Sequence, residues 1–255
     1  MRPVVRERWL EFTGPLEGPG VPALYADIRG IPTVAYGNAV FTPADMYALP
    51  WMHPGGIPAT QAEKLEAWCV INGNMVAAKL GWQYAAKLNA LRLTREAMAE
   101  LALAKLDAND RILLARLPEW EEHPACAQMA LHSLAWACGA NAHFPRLFDD
   151  VAKGDYEAAS DEIRMNEWTP EGTHNAGLVP RNVANKILMR NAARVRDFHL
   201  DPNLLDWVHD LSVAAAVTQP ALPDTPASSP TIVVDPVLHV DPAMYPLDVE
   251  PDEPA

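Results

Sequence analysis

Glu17, Asp27 and Thr33 are the residues whose types and spacing could do chemistry together. Cleavage of a glycosidic bond needs two acid–base functions flanking that bond. One carboxylic acid protonates the leaving oxygen; a second group orients or deprotonates a water, or attacks the sugar directly. Within LEGPGVPALYADIRGIPTVAYGN (residues 16–38), Glu17 supplies the acid. Asp27 and Thr33, six residues apart, can together hold one water. The same residues have a plain structural alternative: Glu17 ends a helix, Asp27 serves a turn, and Thr33 is an ordinary strand residue. Residue types and spacing alone leave both open.

Presenting these groups to one bond requires a helix end facing a hairpin. Residues 4–13 read as a short helix with Val5, Trp9 and Phe12 on one side, and Gly14, Pro15, Gly18, Pro19, Gly20 and Pro22 break it, with Glu17 closing it. Two β-prone pieces, Leu24–Asp27 and Ile31–Tyr36, flank a turn at Arg29-Gly30. Asp27 ends the first strand and Thr33 sits on the second. Thr42-Pro43 starts a helix, with Thr as N-cap and Pro at the first helical position. Residues 50–58 read as loop. Thr60-Gln61-Ala62-Glu63 is a capping box opening a helix to about Val70.

Beyond this the chain reads as helical to about residue 200. Thr94–Leu117 is rich in good helix formers. Pro124 opens a helix over Ala125–Cys138 that is apolar nearly all round, hence buried, and ends at Gly139. Pro145–Lys153, Asp155–Glu167 and Pro180–Val195 read as three more helices, separated by Gly154 and a loop over Thr169–Gly177. From Leu211 the character changes: nine of 45 residues are Pro and none is Lys or Arg, which predicts a mostly disordered or extended tail. Two apolar clusters, Thr231–Val234 and Pro236–Val240, are its candidate docking strips.

Other chemistries leave no motif. The eight His form no HxxxH or HExxH and do not pair with Cys at zinc spacing, so no metal and no cofactor are expected. His132, on the apolar helix, reads as a hydrogen-bonded core residue. No P-loop, GxGxxG or GxSxG occurs. The three cysteines, Cys69, Cys126 and Cys138, contain no CxxC and read as reduced thiols. Trp51, Trp82, Trp120 and Trp168 could stack on sugars, though core or loop packing is the commoner use of Trp.

Charge narrows the partners. The formal net charge is −13, yet all 20 basic residues and 23 of the 33 acidic ones lie in residues 1–200, so the body is near neutral and the tail acidic. That excludes phosphate-driven nucleic-acid binding as the main task. It also gives no general pull toward an anionic cell wall. The N-terminal MRPVVRERWLEF holds no apolar run long enough for a signal peptide or a membrane span, so synthesis in the cytoplasm and no membrane insertion are expected.

The hairpin stretch resembles the phage-type lysozymes. In that family Glu-Gly at the end of the first helix leads to Tyr-x-Asp, then a Gly, a Thr, and an aromatic or aliphatic residue before Gly-His or Gly-Asn. Here these read Glu17-Gly18, Tyr25-Ala26-Asp27, Gly30, Thr33 and Tyr36-Gly37-Asn38. The interval from Glu17 to Asp27 is one residue longer than the familiar form, and Asn38 replaces the commoner His. A second match lies far along the chain, in ALHSLAWACG (130–139), Phe144, GDYEAA (154–159), Trp168 and GLVPR (177–181). Together the two cover roughly residues 9–197.

The resemblance implies an α+β, mostly α fold: a lysozyme-like two-lobe arrangement within residues 1–210. The hairpin-bearing lobe would span about 1–60, connecting helices about 60–95, and the helical lobe about 95–200. It implies a muramidase that cuts the β-1,4 bond between N-acetylmuramic acid and N-acetylglucosamine in bacterial peptidoglycan. Glu17 would be the general acid and Asp27 and Thr33 would position the attacking water, with inversion. Arg181 would support Glu17 from the C-terminal region; a surface Arg is its alternative. Tyr25, Tyr36 and Asn38 would contact substrate. Such an enzyme would reach the wall by holin-type release, as an endolysin, or by injection, as a secreted antibacterial effector. A delivery machine or an inhibitor protein could then contact the tail. Two other classes stay open: a non-catalytic wall-binding or structural protein on the same scaffold, and a lytic transglycosylase.

Overall fold

The computed structural model describes residues 1–18, 20–117, 119–168 and 174–207. The acidic tail read from Leu211 lies outside them. The described residues form an α+β fold that is mostly helix, with one small antiparallel sheet in the order β1-β2-β3. The chain divides into two compact units. One contains Arg6–Ala108; the other contains Met1–Val5 and the described residues from Asn109 on.

The first unit begins in helix α1, Pro3–Glu17. Val5, Trp9 and Phe12 are buried, as their spacing predicts. The helix ends at Glu17 as expected but runs unbroken through Gly14 and Pro15, the expected breaks. A residue before proline is pushed out of helical geometry partly by a clash with its own Cβ, and Gly14 has none. Pro15 removes one hydrogen bond near the end of the helix, where the loss is least. The helix stops where Gly18 takes a left-handed φ of 80° just beyond Glu17, a conformation glycine adopts without strain.

Strands β1 (Val21–Ala26) and β2 (Pro32–Ala35) form the expected hairpin. Tyr25 pairs with Thr33 and Ala26 with Pro32, and the register shifts between Val21 and Tyr25. A two-residue strand β3, Asn38–Ala39, returns along β2. It is too short to show alternation in the sequence. Helix α2, Pro43–Ala48, starts at Thr42 with a capping box to Asp45. Helix α3, Gln61–Ile71, starts at Thr60 with the expected box to Glu63.

The connecting stretch is three short helices: α3, then α4 (Met75–Leu80) and α5 (Trp82–Leu88). Arg92 closes α5, its guanidinium donating to the carbonyls of Ala86, Asn89 and Leu91. Its backbone pairs with Met52 in both directions, and it bridges to Ala23 on β1. The core of this unit gathers around Leu24, Val34, Met46, Trp51, Ile71 and Leu91. Helix α6, Arg95–Arg116, is the long helix predicted there, and the unit boundary falls inside it.

The second unit is built on α7, Ala125–Cys138, whose residues are buried from Ala125 to Trp136. Two of its buried polar members are hydrogen-bonded in place. Gln128 Nε2 donates to Trp120 O at 2.7 Å, and His132 Nε2 lies 3.2 Å from Asp110 Oδ1. His132 is thus the hydrogen-bonded core residue expected. Helices α8 (Pro145–Ala152), α9 (Tyr156–Glu162) and α10 (Leu178–Asp197) complete the unit, with α9 and α10 packed together and α10 against α7.

The predicted helix over Asp155–Glu167 ends early, at Glu162. From Ile163 to Glu167 the chain has no regular structure, and Asn182 on α10 satisfies the backbone in place of a helix. Its Oδ1 accepts from Met165 N at 2.9 Å and its Nδ2 donates to Met165 O at 3.0 Å. Conversely α10 starts two residues before Pro180. Proline is tolerated in a first turn, whose N–H groups have no partner within the helix.

Candidate functional site

Glu17 is the last residue of α1 and is half-buried. Asp27 follows β1 directly and is held by its own turn. Its Oδ1 accepts from Arg29 N at 2.9 Å and from Ile31 N at 2.8 Å. Its backbone donates to Ile31 O and accepts from Gly30 N, both at 2.9 Å. Arg29 Nε stands 3.9 Å from the second carboxylate oxygen, Oδ2. Asp27 therefore serves the turn, as its structural reading has it, and does so through one oxygen of its carboxylate.

Thr33 is buried, and its hydroxyl donates to Ile31 O at 3.0 Å, which leaves the oxygen's lone pairs as acceptors. Directly paired residues of an antiparallel sheet share a face, and so do residues two apart on one strand. The Tyr25–Thr33 pair therefore places these two on one face of the hairpin, with Asp27 two residues beyond Tyr25 at the start of the turn. Burial first, and then the negative charges of Asp27 and Glu17, push the Tyr25 hydroxyl above its ordinary value. Both carboxylates thus act on one phenol, which stays protonated through the neutral range.

The expected substrate contacts fare differently. Tyr25 is only 3% exposed, so its ring offers a sugar no open surface. Tyr36 is half-buried, its ring so close to Gly20 that a Cβ there would lie 3.1 Å from it. Asn38, opposite Val34, is buried, and its side-chain oxygen makes no hydrogen bond among the described residues.

Arg181 lies in the other unit, in the first turn of α10. It is not a surface residue: it is 3% exposed, and its Nη1 donates to Ser133 O at 3.2 Å and to Ser133 Oγ at 3.1 Å. The structure therefore groups Glu17, Tyr25, Asp27 and Thr33 around one hairpin, and anchors Arg181 on α7. It adds Thr13, which sequence reading passed over. Thr13 sits one turn before Glu17, is fully buried, and its hydroxyl makes no hydrogen bond among the described residues. The four-residue spacing on α1 was the available signal.

Of the candidate stacking residues, Trp51 and Trp120 are buried, Trp82 is half-buried and Trp168 is exposed. The three cysteines are free thiols, and burial pushes the Cys126 thiol up. Among the described residues no group of His, Cys, Asp or Glu is arranged to hold a metal ion, and no helix is long and apolar enough to cross a membrane. Compared with known proteins, the chain matches no family model, no curated protein and no solved structure.

Proposed function

We propose that the protein is a muramidase with a lysozyme-like two-lobe fold. It hydrolyses the β-1,4 bond between N-acetylmuramic acid and N-acetylglucosamine of bacterial peptidoglycan. One observation carries the reading: Glu17, at a helix end, and Asp27, in the turn that follows the Tyr25–Thr33 pair, both act on the buried Tyr25 phenol. That gathers two carboxylates and a hydroxyl within one small unit, as acid-and-water catalysis requires. Glu17 protonates the leaving oxygen. Asp27 Oδ2 and the Thr33 hydroxyl oxygen accept the hydrogens of the attacking water. Tyr36 and Asn38 are the remaining substrate contacts. Peptidoglycan outside the cytoplasm is the target, reached by release or injection.

The test is digestion of isolated peptidoglycan by wild type and Glu17→Gln, with the soluble products identified by mass. Gln keeps the shape of Glu17 but has no proton to give. Reducing muropeptides from wild type and none from the variant are the expected result; no release by wild type from several walls removes the reading.

A second reading follows from the turn. Asp27 Oδ1 is committed to two backbone N–H groups. A lytic transglycosylase uses one acid and no water-holding Asp, so it would leave Asp27 this purely structural task. Anhydro-muropeptides, with release little changed in Asp27→Ala, would identify it.

A further inference from the structure

A second cluster of sugar-compatible groups lies in the other unit, where residues 163–168 run beside the start of α10. Trp168 is 54% exposed, a large indole left in solvent. Its ring stands 4.8 Å from the His174 ring, centroid to centroid, at 49°. Their backbones bridge antiparallel, and Asn175 N donates to Glu167 O. Behind the rings is Glu167, its side chain only 12% exposed. Its Oε1 accepts from Asn182 Nδ2 at 2.9 Å, and its Oε2 accepts from Arg164 Nη2 at 3.1 Å with His174 Nε2 at 3.7 Å. Burial opposes ionisation of Glu167, but the bonds from Asn182 and Arg164 and the charge of Arg164 outweigh it and hold the carboxyl below its ordinary range.

The arrangement is rigid where it needs to be. Asn182 is 6% exposed and fixes both Met165 and Glu167, so the segment carrying Trp168 is fastened to α10 by a buried side chain. Arg181, which is fastened to Ser133 on α7, is its neighbour on α10. A pyranose ring is amphipathic: axial C–H groups form an apolar face, and hydroxyl and amide groups ring its edge. An exposed indole offers the matching face, and the Glu167, Arg164 and His174 side chains offer the edge an acceptor and donors.

We propose that Trp168 and His174, backed by Glu167, form a stacking site for an N-acetylated pyranose of a glycan strand. The identity of the sugar rests on the muramidase reading. Trp168 carries the ring, Arg164 and His174 donate to hydroxyl or acetamide oxygens, and Glu167 fixes those donors. The competing explanation is an aromatic pair that only ties two backbone segments together; such a pair binds no sugar.

The experiment uses the full chain carrying Glu17→Gln, so that turnover does not consume the probe, and titrates it calorimetrically with the tetramer of N-acetylglucosamine. Trp168→Ala should weaken binding at least about tenfold, with Trp168→Phe restoring part of it, since a smaller ring still stacks. Thermal melting accompanies each titration; where Trp168→Ala does not fold, Trp168→Phe and His174→Ala carry the comparison. No binding of the tetramer, or equal binding with and without Trp168, overturns the stacking site. Peptidoglycan digestion by the wild-type chain separates the two claims. Cleavage without Trp168-dependent binding removes the stacking site alone. Trp168-dependent binding without cleavage keeps it and removes the muramidase reading.

Discussion

Asp27 and Glu167 are carboxylates held in opposite ways. Asp27 is fixed by the backbone of its own turn, through N–H groups two and four residues ahead. Glu167 is fixed by side chains, chiefly Asn182, fifteen residues away on another element. The first is a local device: the chain that carries the carboxylate also orients it, so geometry and turn stand or fall together. The second is a tertiary device: its orientation depends on a helix being docked, and its loss frees a segment of chain. Different measurements separate the two.

Catalysis gives the largest expected difference. Glu17→Gln should lower the rate of muropeptide release by at least about 100-fold, the usual contribution of a general acid. Its melting temperature should stay close to wild type. Asp27→Ala should lower release as well if Asp27 Oδ2 holds the water. Release unchanged in Asp27→Ala would reduce Asp27 to its turn and shift the reading to a transglycosylase. Product mass decides between them directly.

Stability should rank the two devices. Asn182→Ala removes a buried amide that makes three hydrogen bonds and leaves Met165 N and O without partners. Its expected cost is ~2–4 kcal/mol, read by denaturant unfolding. Asp27→Ala removes two hydrogen bonds at a partly exposed turn, where water replaces what is lost, for ~1–2 kcal/mol. A larger loss in Asp27→Ala than in Asn182→Ala would break the contrast, making the hairpin turn the more critical support.

The same contrast explains what the sequence could tell. The hairpin, the two capping boxes and the helix over Ala125–Cys138 depend on neighbours in the chain: turn residues, N-caps, a Gly stop. Their signals are local, and they fold where the pattern puts them. The irregular run from Ile163 to Trp168 depends on Asn182, so a helix former's composition misled there. Gly14-Pro15 reads as a break, but it needs only the missing Cβ of Gly14 to stay helical. For the site, Glu17, Asp27 and Thr33 were legible as types at a spacing. That Tyr25 turns inward, and that Arg181 is fastened to Ser133 on α7, depend on packing that no spacing encodes. Nor did any local pattern join Trp168 to Glu167 and His174.

Acid titration gives the smallest expected effect, and it belongs to the unit that uses tertiary devices. Asp110 carries the clearest case. Burial opposes its ionisation, but hydrogen bonds from His132, Trp120 and the Met1 amine outweigh burial and hold its carboxyl at about 2. A carboxyl held below its unfolded value favours folding while ionised. That contribution is fully present above the unfolded pKa, near 3.9 for Asp, and is lost as pH falls through the folded value of about 2. Stability should therefore fall between about pH 4 and pH 2 in wild type, with Glu167 adding in the same direction. Asp110→Asn should be less stable at neutral pH and show a shallower decline over that window. Denaturant midpoints taken across it read both effects. An equally steep decline in Asp110→Asn would place the acid sensitivity elsewhere.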